Sequence, residues 1–536
     1  MIEKAFFLND GYLHIPIKSR DENGITVDII ADGELYAQYY VPIAKNSDER
    51  DFYAYLDLTA YKCKEVRLVS ENCDNSVFDG VIAGDAPENE PTLYPELYNE
   101  NVRQKIHYSP KRGWVNDPNG LFYKDGVFNL YYQHNPLDNL SYGADISWGH
   151  AISVNGLNFT ELPEAIVPDD ANYIVASGSA LVDQYNIACL SKDAIIGAYT
   201  KLLGGRCLSL HPEIVEGEGQ VVVYSLDGGI TFKKMTGSVT IPAPPKTYWR
   251  DPKLIQIDEK TIAMAVYETY DGQNCVSFYK TNDCRNWKFC SRNMDLYECP
   301  DLFCLETVET GEKLWVLYGG NGKYRVGNFE SFVFTPNGGE GFLDYGDSVY
   351  AGQTYNNFDD DYRRFFTAWL REDTERDVFD KENRRYGFSQ SMNLMTELSI
   401  HKTDDGYRVF RKPIAEIEKL RKTTTASKLN GEVFATYPAE IEFTAEKDFK
   451  IVADKELLCY NAEKRTIFGA NDKSYTLSGI NDLSIRIITD TNSVEIFIAD
   501  EIVLSYYCDM TKNNIKILSD SNISGKVYEL CSIWKG

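Results

Sequence analysis

Three short stretches, Trp114-Val115-Asn116-Asp117-Pro118-Asn119-Gly120, Trp249-Arg250-Asp251-Pro252 and Tyr297-Glu298-Cys299-Pro300-Asp301, each set one carboxylate among Pro, Gly and aromatic residues. A carboxylate fixed beside an aromatic wall can act as a nucleophile. A second, kept protonated, can donate a proton, and together they supply the two-carboxylate chemistry of glycoside hydrolysis. A third can steady developing positive charge. Each stretch taken singly has a plainer reading. Asn116 to Gly120 is made of ordinary turn residues. Asp251 reads equally as a partner for Arg250 or a strand-end turn before Pro252, Glu298 as a solvated surface residue, and Cys299 as a buried apolar thiol.

The elements that must carry these groups read as strands. Val127-Phe128-Asn129-Leu130-Tyr131-Tyr132, Val221-Val222-Val223-Tyr224, Ile262-Ala263-Met264-Ala265-Val266-Tyr267 and Leu314-Trp315-Val316-Leu317-Tyr318 are short, β-branched or aromatic, and bounded by turn residues. Lys124-Asp125-Gly126, Asp227-Gly228-Gly229 and Asp271-Gly272 supply the Asp-Gly chemistry of hairpins. One helical pattern, with Ile414, Ile417 and Leu420 on one face, precedes a return to alternation in Leu483 to Ile488 and Val494 to Ile498. The proline-bearing stretch Ala86 to Thr92 reads as a linker. The chain therefore divides into a small β domain over 1–90, a motif-bearing middle over 95–420 and a β-sandwich over 421–536. The middle divides into five units of about 64 residues, a size that suits propeller blades.

Composition narrows the partners. The net charge of −26 repels phosphate backbones and anionic membrane surfaces, which disfavours nucleic acid and membrane but leaves a neutral ligand such as a carbohydrate unpenalised. Tyr 37, Phe 26 and Trp 7 give many rings that fit strands and sugar faces alike. The first residues lack the order of a secretion signal, and no run approaches the ~18 apolar residues of a membrane span. Twelve cysteines carry no Cys-x-x-Cys pair and read as reduced thiols, and the six histidines lack ligand spacing, so the expectation is a cytoplasmic protein without a metal.

With their flanks included, the motifs resemble glycoside hydrolase family 32, the family of invertases, levanases and exo-inulinases. The resemblance runs through His107-Tyr108-Ser109-Pro110, Trp114, Gln133-His134-Asn135-Pro136, Trp148-Gly149-His150-Ala151 and Ser177-Gly178-Ser179-Ala180. It continues through Tyr224 to Gly229, Arg250-Asp251-Pro252, Glu298 to Phe303, Leu343-Asp344-Tyr345-Gly346, Trp369 and Ser493-Val494-Glu495-Ile496-Phe497. The leading segment resembles the small N-terminal β domain of some levanase-like members. What the resemblance implies is an all-β chain in which a five-bladed β-propeller is followed by a C-terminal β-sandwich.

It further implies a retaining exo-β-fructofuranosidase without a cofactor. Asp117 matches the nucleophile, Glu298 the acid/base, and Asp251 the transition-state stabiliser that binds the fructose hydroxyls. Asn116, Gln133, Trp148, Ser177, Arg250, Trp369 and Tyr142 match positions around the fructosyl unit. The chain departs from the pattern at Tyr142-Gly143-Ala144-Asp145, Ser147 and Ala176, and Leu394 to Leu398 is only a loose echo. These changes alter the wall of the site instead of adding an aromatic track. Small, transportable substrates such as sucrose and short fructo-oligosaccharides are therefore expected to be preferred. A fructosyltransferase, a silent sugar-binding propeller and an arabinofuranosidase are the alternatives.

Overall fold

The computed structural model describes residues 1–534 except 20–23, 46, 72, 75, 140–144, 205–217, 238, 245–247, 359, 361, 372–385, 434–436, 471–472 and 480–481. Among the described residues, β-sheets make up nearly all the regular structure, and the remaining pieces are short 3₁₀ turns. No described helix is long and apolar enough to cross a membrane.

The first 84 residues form two sheets. One has the order Ile2–Phe7, Glu65–Ser70, Ile25–Ala31, Glu34–Val41, and the other Phe52–Asp57, Tyr12–Ile17, Ile82–Gly84. Period-two alternation sends Val27, Ile29 and Ala31 inward, where they meet Leu13, Ile15, Leu56 and Leu68 in one core.

Five antiparallel meanders follow in chain order. Their first strands are Gly113–Lys124, Tyr173–Val182, Trp249–Asp258, Asp301–Glu306 and Val349–Thr354, and the spacing is less even than the expected equal units. Each of these strands lies against the next, and the fifth lies against the first. Phe388–Ser389 also pairs in parallel with Gly113 and Trp114. Asp125-Gly126 and Asp271-Gly272 make the expected tight hairpins, all four residues having positive φ. Asp227 instead anchors a longer connection, its carboxylate accepting from the Ile230 and Thr231 amides.

Adjacent first strands belong to different sheets, so polar side chains tie them where no ladder does. Ser179 Oγ donates to the Pro252 carbonyl at 2.8 Å and accepts from the Leu254 amide at 2.7 Å. Gln353 donates to the Gly178 carbonyl at 2.9 Å and Asn356 to the Ala180 carbonyl at 2.8 Å. Buried Lys253 reaches the Thr354 carbonyl at 2.8 Å and Asp301 at 3.2 Å, while the Thr354 amide donates to the same aspartate at 2.6 Å. Every one of these bonds crosses between meanders, which fixes the strands that carry the motif residues.

The expected short helix is a 3₁₀ segment, Ala415–Leu420, with Ile417 and Leu420 buried. Beyond it two six-stranded sheets enclose a core that includes Ile441, Ile451, Leu458, Ile487, Ile496 and Leu504. Alternation explains the Ser493 to Phe497 motif. Val494 and Ile496 enter that core, while Phe497 points the other way, into a cluster shared with Tyr132, Leu130 and Ile417 of the preceding part.

Glu495 lies on the same outward side and meets the His107 motif. His107 Nδ1 sits 2.8 Å from Asp490 Oδ2, and its Nε2 sits 3.5 Å from Glu495 Oε2, with all three side chains wholly buried. Burial opposes the imidazolium, but hydrogen bonds and charge from Asp490 and Glu495 outweigh it and push His107 up to about 9 from 6.5. A folded-state value above the unfolded one contributes stability that is complete below pH ~6.5 and disappears as pH rises through about 9. His107→Ala strands two buried carboxylates and is expected to cost about 3–5 kcal/mol at pH 6.5. Paired thermal melts at pH 6.5 and 9.5 should show the gap between the two proteins narrowing at the higher pH; a gap independent of pH would contradict the assignment of charge to His107.

Candidate active site

Asp117 sits in Gly113–Lys124, so Asn116 to Gly120 is strand and not turn. The local turn preference is overridden by pairing with Val127–Asn135, and it survives as two register shifts, Val115/Pro118 and Asn119/Phe122. Gly120 has φ 57°, and a Cβ there would meet the Tyr131 ring at 2.6 Å. The first irregularity lets consecutive residues Asn116 and Asp117 serve one site. Asp117 Oδ1 accepts from Asn116 Nδ2 at 3.2 Å, and Oδ2 accepts from Ser177 Oγ at 2.6 Å and Gln133 Nε2 at 3.4 Å. Asn116 Nδ2 also donates to Gln133 Oε1 at 3.0 Å, while Trp114 Nε1 donates to Asn116 Oδ1 at 2.9 Å. Burial raises the Asp117 carboxyl above its ordinary range, against the pull of the Ser177 and Asn116 donors.

Asp251 and Arg250 open the third meander. Asp251 has φ 63°, left-handed backbone at the register shift between Arg250 and Lys253, and its amide is held by Thr200 Oγ1 at 2.9 Å. Glu298 and Cys299, just ahead of Asp301–Glu306, are left-handed as well, with φ of 48° and 37°. Three strained residues in one site each carry about 1–3 kcal/mol that the surrounding sheets must hold.

Cys299 joins the carboxylates. Its amide donates to Asp251 Oδ2 at 3.1 Å, and its thiol lies 3.6 Å from that oxygen and 3.5 Å from Asp117 Oδ2. Burial, then the adjacent Asp251 and Asp117 carboxylates, push the thiol well above its ordinary value, so it stays a neutral donor. Arg250 donates to Glu298 Oε1 through Nη2 and sits 3.7 Å from Asp251 Oδ2 through Nε. Burial pushes Asp251 up to about 7, with Glu298 and Asp117 adding to the rise and Arg250 opposing it.

The structure thus brings together Asp117, Asp251, Glu298, Asn116, Gln133, Ser177 and Arg250. Trp148 is set differently. It is fully buried, its Nε1 donating to the Ala176 carbonyl at 3.0 Å and its ring packed near Tyr131 and Tyr199, so it supports the strand bearing Ser177 and offers no face to a sugar. Trp369 is also buried, edge-on to Trp114 and Tyr350 and bonded to Gln390 at 3.1 Å. Tyr142 and Ala144 lie outside the described residues. Sequence reasoning missed Tyr350, whose hydroxyl donates to Glu298 Oε2. Its signal was positional, because Tyr350 is the second residue of its first strand, as Arg250 is of the third. Among the described residues no group of three or more His, Cys, Asp or Glu is placed to hold a metal ion.

A buried aspartate whose folded value is raised from 3.8 to about 7 destabilises the fold by an amount that grows from pH ~4 to 7 and is then constant. Asp251→Asn is therefore expected to stabilise the protein by a few kcal/mol at pH 8, and by much less at pH 4. Denaturant titrations at the two pH values check this. Equal or lower stability of the variant at pH 8 would contradict a costly buried charge.

The sequence profile described as Glycosyl hydrolases family 32 N-terminal domain matches residues 107–413, more than half of the chain. Levanase from Bacillus subtilis (strain 168) is 27% identical over 468 residues, 75% of this chain and 65% of that protein. Extracellular exo-inulinase from Meyerozyma guilliermondii is 30% identical over 283 residues, 48% of this chain and 52% of that protein. The chain thus spans less than two thirds of either relative's length. Among solved structures, exo-inulinase from Aspergillus awamori superposes with TM-score 0.66 at 20% identity, covering 82% of this chain and 100% of that one. A β-fructofuranosidase from Bombyx mori gives 0.65 at 22% identity, covering 84% and 97%. On the length of the profile match and the order of its motifs, the chain belongs to glycoside hydrolase family 32.

Proposed function

We propose that the protein is a retaining exo-β-fructofuranosidase that releases terminal fructosyl units from sucrose and short fructo-oligosaccharides. The observation that carries this reading is the convergence of Asp117, Asp251 and Glu298 from three different meanders, two of them touching the Cys299 thiol. Family membership and relatives named levanase and exo-inulinase support a fructan-type substrate.

In the first step a carboxylate oxygen of Asp117 bonds to the anomeric carbon as the glycosidic bond breaks. The proton of the Glu298 carboxyl passes to the departing oxygen. Ser177, Gln133 and Asn116 keep Asp117 in one orientation for this attack. In the second step Glu298, now ionised, takes a proton from water. The water oxygen bonds to the anomeric carbon and the Asp117 ester opens, restoring both groups. Asp251 binds fructose hydroxyls and, as an anion, favours the oxocarbenium-like charge of both transition states. Arg250 and Tyr350 aim Glu298 at the leaving oxygen.

The same reading makes the five meanders the blades of a propeller, preceded by the N-terminal domain over 1–90 and followed by the sandwich over 421–536. Support comes from the return of the fifth first strand onto the first and from the separate cores of the two flanking parts. It also keeps the cytoplasmic expectation: none of the eleven described cysteines is in a disulfide, and Cys63 and Cys189 are exposed.

Asp117→Ala and Glu298→Ala are each expected to lower turnover by about 10²-fold or more with the fold retained, because each removes a bond-forming or proton-transferring group. Fructose release from sucrose, kestose, inulin, levan and an aryl arabinofuranoside, with the anomer of the first product followed by NMR, tests the whole reading. The expected result is β-fructose first, one unit at a time, with the highest kcat/KM on sucrose or kestose. Inverted product, release of arabinose alone, or either variant above about a tenth of wild-type rate would refute it.

A further inference from the structure

On the Glu298 side of the site two tyrosines are solvent-exposed although their surroundings are fixed. Tyr248 is 67% exposed and Tyr297 37%. Tyr248 immediately precedes the Trp249–Asp258 strand that carries Arg250, and Tyr297 immediately precedes Glu298. The Tyr248 backbone is pinned on both sides, its amide donating to Thr269 Oγ1 at 3.0 Å and its carbonyl accepting from the Thr269 amide at 2.9 Å. Tyr297 rests edge-on against the buried Tyr267 ring, centroids 5.5 Å apart. The Arg250 guanidinium lies between, 5.6 Å from the Tyr248 ring and 5.7 Å from the Tyr267 ring. The guanidinium that holds Glu298 is therefore itself stacked within the aromatic group.

Large exposed aromatics on fixed backbone, beside a polar catalytic centre, are poorly explained by packing. The two sides of the site also differ in kind. Around Asp117 the contacts are compact groups, the Ser177, Asn116 and Gln133 side chains and the Cys299 thiol, suited to a sugar whose hydroxyls must be counted. Around Glu298 the surface is phenolic and broad, suited to the C–H face of a ring.

Resting on the fructosidase reading above, we infer that Tyr248 and Tyr297 form the platform on which the leaving sugar stacks, and that they set the enzyme's choice of leaving group. The ring seated there carries the oxygen that Glu298 protonates. Stacking holds that oxygen at the carboxyl during bond cleavage, and Arg250 couples the platform to the acid. A leaving group without a ring gains nothing from the platform. The preference is then for a hexose of either type, because stacking reads the face of the ring more than its hydroxyl pattern. Sucrose and kestose both offer such a ring.

The test compares sucrose and kestose with methyl β-D-fructofuranoside, which has the same fructosyl unit and no leaving sugar. In Tyr248→Ala and in Tyr297→Ala the ratio of kcat/KM on sucrose to kcat/KM on the methyl glycoside is expected to fall about tenfold, with kestose behaving like sucrose. Tyr248→Phe and Tyr297→Phe keep the ring and are expected to restore the ratio to within about twofold of wild type. A ratio unmoved by the alanine variants overturns the platform, and so does a loss in the phenylalanine variants equal to that in the alanine variants. Failure of the wild-type enzyme to release fructose from any of the three substrates would instead overturn the fructosidase reading itself.

Discussion

Three carboxylates must share one small buried site, and most of this structure can be understood as the means of tolerating that. Asp117 and Asp251 are each less than a tenth exposed, and burial raises both above the ordinary carboxylate range. Placing like charges close together in low dielectric favours protonation of one of them. The site answers with Arg250 against Glu298 and Asp251, and with neutral donors elsewhere: Ser177 and Asn116 on Asp117, the Cys299 amide on Asp251. Neutral donors stabilise an anion without fixing it as firmly as a cation would. Asp117 is therefore held less firmly than Glu298, which is clamped by charge and by Tyr350.

Such an arrangement is stable only on a rigid support, because its electrostatics and its left-handed residues both push the site apart. The support is built from the crossings between meanders and from joints to the C-terminal sheets. Asp344 shows how a motif can serve a joint instead of the chemistry. Its carboxylate accepts from Arg411 of the fifth meander at 2.8 Å and from Ser505 Oγ of the C-terminal sheets at 2.6 Å. His107 against Asp490 and Glu495 is a buried ionic contact across the same boundary, while the Arg411–Asp344 pair, within the part holding the site, fixes the carboxylate that Ser505 reaches. Buried ion pairs contribute little net stability but penalise misplacement strongly, so they suit a boundary that must hold one register.

The strands and the three carboxylates were legible in sequence because both depend on local information: alternation, Asp-Gly turns, and residue types in ordered motifs. What sequence hid depends on which strand faces which across the site. Tyr350 meets Glu298 only because the fifth first strand lies beside the fourth. The motif tryptophan Trp148 is buried because Ala176 and Tyr199 close over it from the neighbouring meander. Cys299 reads as apolar filler until two aspartates from distant strands arrive at its thiol. The pentapeptide Asn116 to Gly120 shows the converse: its turn preference is real, and long-range pairing converts it into an irregular strand.

The N-terminal sheets fit the same logic. Their core takes in Leu137, and Ser19 Oγ donates to Asp138 at 2.6 Å and Asn139 at 2.9 Å, while the Tyr40 amide donates to Asp145. Gln38 adds bonds to the Pro168 carbonyl and the Ala171 amide. The next residue after Asp145 is Ile146, which packs with Trp114 and Trp369 in the cluster that Tyr350 joins. Trp114 in turn orients Asn116, and Asn116 orients Asp117. A continuous path of packed and hydrogen-bonded groups therefore leads from the first sheets to two of the three carboxylates, through Tyr350 to Glu298 and through Trp114 to Asp117. The first sheets thereby reach the site at a distance, because Ile146, packed with both tryptophans, directly follows Asp145, which the Tyr40 amide holds.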